Sequence, residues 1–132
     1  MHNEIKVNMR LNKKWKIDPE NILLQIPAYA VWKDCDSIIR GCNHNFAKWC
    51  KLEIDQIIGK HIKEIYPLEF SERYRTDDLE VMQTGRGMIY LEEKPHGAKI
   101  EKIVVYKFPL RDEKDKIIGT ISLFHELQES WK

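Results

Sequence analysis

Apolar side chains are most concentrated towards the C-terminal end of the chain, in two runs separated by a charged segment. Residues 103–110 and 117–124 are rich in β-branched and aromatic side chains, and the tract 111–116 between them is charged. This pattern predicts two antiparallel strands joined by a solvated turn. Each run contains consecutive apolar residues and so departs from strict alternation. We therefore expect both faces of these strands to be covered, as in the middle of a sheet.

The chain before this hairpin predicts a helix followed by a first pair of strands. Asp18 and Pro19 are typical of a helix start, and an apolar stripe follows before Pro27. Residues 28–33 and 38–42 read as two strands, with a polar turn between them. The first hairpin is expected to end at Cys42.

Several helices and one strand are predicted between the two hairpins. The expected elements are a helix capped by Asn43, short helical pieces at 54–58 and 61–66, a longer helix from Ser71 or Thr76 to Thr84, and a strand at Met88–Glu93. Five strands interrupted by one block of helices do not fit a parallel βαβ sheet. The predicted class is α+β, with an antiparallel sheet and helices on one face.

Size and charge limit the classes of partner. The 132 residues predict one domain, and 22 basic side chains nearly balance 21 acidic ones. This balance gives no electrostatic reason to expect direct nucleic acid binding or an anionic membrane partner. The longest apolar runs are far shorter than a bilayer span, and the N-terminus lacks the apolar segment of a signal peptide, so we expect a cytoplasmic protein without membrane insertion.

The order of several short motifs resembles that of a PAS domain. The resemblance is carried by Asn21–Ala28, Trp32–Asp34, Gly41–Ala47, Ile57–Lys60, Glu80–Gly85, Phe108–Asp112 and Ile117–Gly119. It implies a five-stranded antiparallel sheet, with helices over one face enclosing a pocket. It divides the chain into an N-terminal leader, 1–18, a PAS domain, 19–127, and the start of a C-terminal signalling linker, 128–132.

The resemblance also tests two cofactors known in this family. Flavin-binding members carry a reactive cysteine where this chain has Lys60–Glu64, and a glutamine on the last strand where it has Ile121. Haem-binding members carry a histidine at the position that aligns with Tyr74. We therefore expect neither flavin nor haem, and the cofactor stays unknown.

Metal binding and catalysis are not favoured by the residues themselves. Cys42, His44 and Cys50 lack the close pair spacing of structural zinc sites. The carboxylate pairs at 77–78 and 92–93 are interpreted as solvated faces, because adjacent side chains point in different directions. We expect no metal site and no enzyme activity in this chain.

The resemblance implies a largely apolar pocket. It places Ile103, Val105 and Lys107 on the inward side of the fourth strand, and Gly119, Ile121 and Leu123 on that of the fifth. We expect Trp32, Tyr74, Met82 and Met88 to complete the lining. Either Lys107 extends out to solvent or it pairs with the acid group of a small apolar ligand. The alternative is that all these side chains simply fill the core.

The outward side of the same strands predicts a dimer. Its apolar residues form a patch larger than a monomer normally exposes, and PAS domains commonly dimerise there, with an N-terminal helix lying across it. The predicted interface of this homodimer contains Trp15, Ile22, Ile26, Tyr106, Phe108 and Phe124.

Two function hypotheses follow from the resemblance. The first is a sensory module that binds a small molecule, dimerises, or does both, and regulates an attached effector, such as the histidine kinase of a two-component system or a transcription regulator. The second is a structural dimerisation module with a filled core and no ligand. The family's usual Asp-Ile-Thr junction to the effector is replaced here by His125-Glu126-Leu127.

Overall fold

The computed structural model describes residues 18–94 and 101–127. Four α-helices, α1 to α4 in chain order, and five strands, β1 to β5, are assigned there, together with a 3₁₀ helix at Ile62–Glu64. The helices are Pro19–Gln25, His44–Cys50, Ile54–Ile57 and Leu68–Thr84. The strands are Tyr29–Asp34, Ile39–Cys42, Met88–Glu93, Lys102–Arg111 and Ile117–Glu126.

The strands form one antiparallel sheet in the order β2-β1-β5-β4-β3. The last strand of the chain lies at the centre, where it pairs with β1 on one side and with β4 on the other. The predicted α+β class is therefore confirmed. The long hairpin of β4 and β5 is also confirmed. Each edge of β5 is paired with a neighbouring strand.

Asn43 joins the first hairpin to the helices, as predicted. Its side-chain oxygen accepts hydrogen bonds from the backbone N–H of Phe46, 2.9 Å away, and from that of Ala30, 3.1 Å away. The first bond caps α2, and the second fixes this cap to β1. The side-chain amide donates to the carbonyl of Ala28 at 2.8 Å. A fully buried polar side chain is thereby satisfied.

The long helix α4 begins earlier than predicted. It starts at Leu68, directly after Pro67, and not at Ser71 or Thr76. Its buried face consists of Ser71, Tyr74, Asp78 and Val81, which follow the spacing of one helix side. Gly85 ends the helix in the left-handed conformation, with φ of 67°.

The two faces of β5 are the reverse of the prediction. Ser122 pairs with Lys107 and Phe124 with Val105, so both point to the interior with the inward residues of β4. Ile121 pairs with Phe108 and Trp32, which places it on the outer face. Since side chains alternate strictly along a strand, a shift of one residue moved the whole predicted set to the wrong side.

Aromatic packing explains the orientation of Phe124. Its ring centroid lies 5.0 Å from that of Tyr29, 5.4 Å from that of Trp49 and 6.0 Å from that of Phe46. These distances are typical of favourable aromatic pairs. The Phe124 side chain, predicted as part of the dimer interface, is therefore a core residue with 4% exposure.

Candidate ligand-binding cavity

An internal cavity of about 30 Å³ lies between the inner face of the sheet and the helices. Its apolar and aromatic walls come from every layer of the fold: Val31, Ile39, Phe46, Trp49, Ile62, Tyr66, Tyr74, Ile103, Val105 and Phe124. Its polar walls are Lys33, Glu92, Lys107 and Ser122. A cavity of this size has room for one or two water molecules.

A buried ion cluster forms one side of this cavity. The carboxylate of Asp78 on α4 forms ion pairs with two lysines. One of its oxygens lies 2.6 Å from the Nζ of Lys33 on β1, and the other lies 2.9 Å from the Nζ of Lys107 on β4. Lys107 also donates to the hydroxyl of Ser122 on β5 at 3.0 Å. All four side chains are buried. The cluster therefore connects the long helix to three strands of the sheet.

The pKa values of the cluster show how it holds its charges. Burial disfavours the Asp78 carboxylate, but the neighbouring Lys33 and Lys107 ammonium groups outweigh it and lower the pKa of Asp78 to about 2. Burial is the main cause that lowers the pKa of Lys33 to about 8, against the attraction of Asp78. At pH 7 the cluster contains an ionised Asp78 beside a protonated Lys33.

Glu92 is a second buried carboxyl group at the cavity, and it stands apart from the cluster. It is 4% exposed, no described residue donates a hydrogen bond to either of its oxygens, and its carboxyl group shares a hydrogen bond with that of Asp77. Burial first, and then the adjacent Asp77 carboxyl, raise the pKa of Glu92 to about 8, although Lys107 acts in the opposite direction. The Tyr74 hydroxyl is likewise buried, and no described residue serves as its hydrogen-bond partner.

The structure corrects two predictions about these charged residues. The pairs at 77–78 and 92–93 were interpreted as solvated faces, but Asp78 and Glu92 are almost fully buried. Lys107 does not extend out to solvent, because Asp78 and Ser122 satisfy it internally. The sequence contained a signal, since Lys33 lies two residues after Val31, and Asp78 lies four after Tyr74, each on an otherwise apolar side.

The predicted pocket residues fall into three groups. Tyr74, Ile103, Val105 and Lys107 lie on the cavity wall. Met82 and Met88 are half-buried but do not line the cavity, and the Met88 sulfur lies 3.3 Å from the Tyr90 hydroxyl. Trp32 and Ile121 lie on the outer face, in a groove of about 530 Å³ whose other walls include Leu23 and Leu24 of α1.

The outer face of the sheet carries exposed apolar side chains. Ile89 and Leu91 on the edge strand β3 are 69% and 62% exposed, and Phe108 is 40% exposed. Ile22 on α1 is also exposed, while Tyr106 and Ile26 are half-buried. Ile89 and Leu91 were not predicted as part of this surface. Their alternation with Tyr90 and Glu92 marks them as the outward side of β3. The predicted contact residue Trp15 lies outside the described residues.

The described residues also bear on metal binding, thiol reactivity and membrane insertion. Residues 18–94 and 101–127 contain no group of His, Cys, Asp and Glu side chains arranged to hold a metal ion. Burial raises the pKa of the Cys42 thiol to about 11 and that of Cys50 to about 12, which makes both weak nucleophiles. No helix in these ranges is long and apolar enough to span a bilayer.

The sequence profile described as "PAS fold" matches residues 23–131 of the chain. The chain belongs to the PAS family. The five-stranded antiparallel sheet with short helices agrees with this assignment, so the predicted family is confirmed. No curated protein matches the sequence of this PAS domain.

Solved structures share the fold of this PAS domain. A structure of the Vibrio cholerae VqmA dimer in the absence of target DNA matches with 24% identity and a TM-score of 0.75, over 87% of this chain and 53% of that one. A structure of VqmA bound to DPO matches with 24% identity and a TM-score of 0.73, over 83% and 56%. A sensory box sensor histidine kinase from Vibrio cholerae matches with 17% identity and a TM-score of 0.68, over 83% and 90%.

These similarities establish a shared fold. The PAS domain spans about half the length of the VqmA chains that it matches. One of these neighbours is described as a LuxR-type receptor and another as a sensor histidine kinase.

Proposed function

We propose that this PAS domain senses a small molecule in its internal cavity and regulates an attached effector. The observation that carries the proposal is the set of buried polar groups around the cavity. Two lysines, the Glu92 carboxyl group and the hydroxyls of Ser122 and Tyr74 line an otherwise aromatic and aliphatic enclosure. Enclosed apolar sites with a few convergent polar groups are typical of small-molecule binding.

The same polar groups argue against a purely structural core. Buried ion pairs contribute little net stability, since desolvation offsets their attraction, and apolar side chains of similar volume often do as well or better. Buried polar atoms without partners are rare in native proteins and call for an explanation. The Tyr74 hydroxyl is such an atom at the cavity. A bound molecule would provide the missing partner.

The effector is proposed by comparison. The VqmA structures come from a receptor described as LuxR-type with a DNA-binding mechanism, and another neighbour is a sensor histidine kinase. A transcription regulator or a histidine kinase therefore fits as the output of this domain. The signal would leave through the C-terminal end of β5 at Glu126, which lies at the centre of the sheet.

Homodimerisation is part of the proposal. Ile89, Leu91 and Phe108 form an exposed apolar surface on the outer face of the sheet, and soluble monomers rarely leave such surfaces uncovered. Tyr106 lies between these residues, because it pairs directly with Ile89. The VqmA neighbour is described as a dimer.

The second candidate, a structural dimerisation module without ligand, is favoured by one observation. The cavity of about 30 Å³ is much smaller than a drug-sized ligand. Binding of a larger molecule would require the aromatic walls to move. A ligand test therefore separates the two functions.

A thermal-shift experiment provides that test. The chain is heated with DPO, with benzoate and with acetate, each over a range of concentrations. A ligand at ten times its Kd stabilises the folded state by about 1.4 kcal/mol, which corresponds to a rise in Tm of roughly 3–6 °C. The sensory function predicts such a saturating rise for at least one compound. Lack of any rise, together with no small molecule in native mass spectra of the purified protein, would support the structural module.

A matched pair of variants locates the site. Lys107→Met removes the buried ammonium group, and Lys102→Met makes the same change at a partly exposed position of the same strand. The shift should shrink in Lys107→Met and persist in Lys102→Met. Equal shifts in both variants would place the binding outside the cavity.

A further inference from the structure

The charges that the cavity buries do not balance. Lys33 and Lys107 share the single carboxylate of Asp78, so this cluster holds two cations and one anion. All three side chains are at least 95% buried. A surplus buried charge is costly unless an opposite charge reaches it.

Glu92 does not supply the missing negative charge. Among residues 18–94 and 101–127 it forms no ion pair with either lysine and accepts no hydrogen bond. The titratable groups around it are Asp77 and Tyr74 on α4, Lys107 on β4, Lys33 on β1 and Tyr66 after the 3₁₀ helix. The carboxyl of Asp77 next to it and its burial both favour its neutral form.

Hydrogen-bond donors remain available to an anion at the cavity. An ammonium group has three N–H donors. Lys107 uses two of them, on Asp78 and Ser122, and the ammonium group of Lys33 forms an ion pair with Asp78 alone among the described residues. The Tyr74 hydroxyl adds a further donor, and its ring lies 5.8 Å from the Lys107 nitrogen. All three side chains line the same cavity.

We propose that the cavity binds a small monocarboxylate, whose negative charge balances the second lysine and whose oxygens accept from Lys33, Lys107 and the Tyr74 hydroxyl. This inference rests on the proposed function, because it names the ligand class of the same cavity. The volume of about 30 Å³, which is enough for one or two water molecules, is closest to the size of the smallest carboxylates, formate and acetate. A larger acid such as benzoate enters by displacing the aromatic walls, and Glu92 remains a neutral neighbour of the bound group.

The test compares each acid with its neutral amide at pH 7. Acetate, acetamide, benzoate and benzamide are titrated into the ¹⁵N-labelled protein, and amide chemical shifts report saturable binding. A hydrogen bond from a charged donor is worth about 1.5–3 kcal/mol, or roughly 10- to 100-fold in affinity. We expect acetate or benzoate to bind at least about tenfold more tightly than its amide. Lys107→Met should lose about tenfold for the acid, while Lys102→Met stays within about twofold.

A further variant tests whether Glu92 already neutralises the second lysine. Glu92→Gln keeps a neutral polar side chain, so the acid should bind it within about threefold of the wild-type affinity at pH 7. Tightening of tenfold or more would show that ionised Glu92 already balances the lysines, and would overturn the inference. Amides that bind as well as the acids would overturn it too, while leaving the proposed sensory function intact. Absence of binding by both acids refutes this ligand class, and the thermal-shift result with DPO then decides the sensory function separately.

Discussion

The Nζ atom of Lys107 lies 2.9 Å from a carboxylate oxygen of Asp78, and both side chains are almost completely removed from solvent. Asp78 belongs to the long helix, and Lys107 to the strand next to the centre of the sheet. This ion pair therefore joins the two layers of the fold beside the cavity. A change at the cavity would act directly on the contact between helix and sheet.

Asp78→Asn should strongly destabilise the domain. The substitution leaves Lys33 and Lys107 buried without an anion, and removal of one partner from a buried ion pair typically costs about 3–5 kcal/mol. Urea unfolding at pH 7 measures the loss. Asp55→Asn on the exposed surface of α3 is the matched control and should change the free energy of unfolding by less than about 0.5 kcal/mol.

The acid sensitivity of the wild-type protein should depend on the same carboxylate. The folded-state pKa of Asp78 is about 2, below its ordinary value of 3.8. The unfolded chain therefore binds the proton more tightly, and the stabilisation from Asp78 is present above about pH 4 and lost between about pH 4 and pH 2. Asp78→Asn should lack this part of the acid unfolding slope. An unchanged slope would show that Asp78 is not ionised in the folded state.

Glu92→Gln should stabilise the domain at neutral pH. The folded-state pKa of Glu92 is raised to about 8, so folding favours its protonated form, and its contribution to stability is greatest below about pH 4.5. That contribution is lost as the pH rises towards 8. Each pH unit in this window lowers the free energy of unfolding of the wild type by about 1.4 kcal/mol. At pH 7 the free energy of unfolding of the variant should therefore exceed that of the wild type by up to about 3 kcal/mol.

The control for this prediction is Glu93→Gln, at the next position of the same strand, where the side chain is partly exposed beside Lys102. Unfolding curves at pH 4.5, 6, 7 and 8 should show a gap that widens with pH for Glu92→Gln and stays nearly constant for Glu93→Gln. A constant gap at position 92 would mean that its carboxyl group titrates alike in the folded and unfolded states.

Gly119→Ala should disrupt the centre of the sheet. A Cβ atom at this position would overlap the backbone carbonyl of Lys33 on the paired strand β1, and a backbone atom cannot move away without separating the strands. We expect a loss of more than about 3 kcal/mol, or failure to fold. Gly87→Ala is the control, since its Cβ would crowd the partly exposed ring of Phe108 at 2.7 Å and lie at an ordinary contact distance of 3.7 Å from the Lys107 carbonyl. Thermal unfolding should show a much smaller change there.

Phe108→Asp should dissociate the proposed homodimer. The substitution places a charge in the exposed apolar surface that also contains Ile89 and Leu91, and desolvating that charge opposes association. Sedimentation velocity should show a dimer for the wild type and a monomer for the variant. Leu68→Asp introduces the same charge at another exposed apolar residue, at the start of α4, and should remain dimeric. A wild-type protein that stays monomeric at high micromolar concentration would refute the dimer.

Much of the fold was predictable because local signals agreed with one another. Asn43 at the start of α2 and Gly85 at the end of α4 have the local chemistry that helix ends require. The strand Met88–Glu93 coincides with the predicted range. The early start of α4 was missed because Leu68 is exposed and has no capping side chain before it.

The cavity was less predictable because charged and hydroxyl side chains, which usually lie at the surface, are buried around it. The predicted register places Thr120 and Ser122 on the outward side of β5, yet both are buried on its inner side. They pair with the buried residues Lys33 and Lys107 of the neighbouring strands, and the Lys107 ammonium group donates to the Ser122 hydroxyl. A buried cation is stable only when its partner is near, and the partner Asp78 comes from a helix far away in sequence. The residue pattern of a single strand does not contain the identity of a partner on a distant helix.

A cavity-filling substitution tests whether a small molecule binds in the internal cavity. Val105 lines the cavity, whereas its neighbour Val104 pairs with Leu91 and His125 on the outer face. Val105→Phe and Val104→Phe add the same volume on opposite sides of one strand, and circular dichroism confirms that each folds. Binding of DPO, benzoate and acetate is then measured by calorimetry. We expect at least about tenfold weaker binding in Val105→Phe and wild-type affinity in Val104→Phe. Wild-type affinity in a folded Val105→Phe would show that the small molecule does not bind in the cavity.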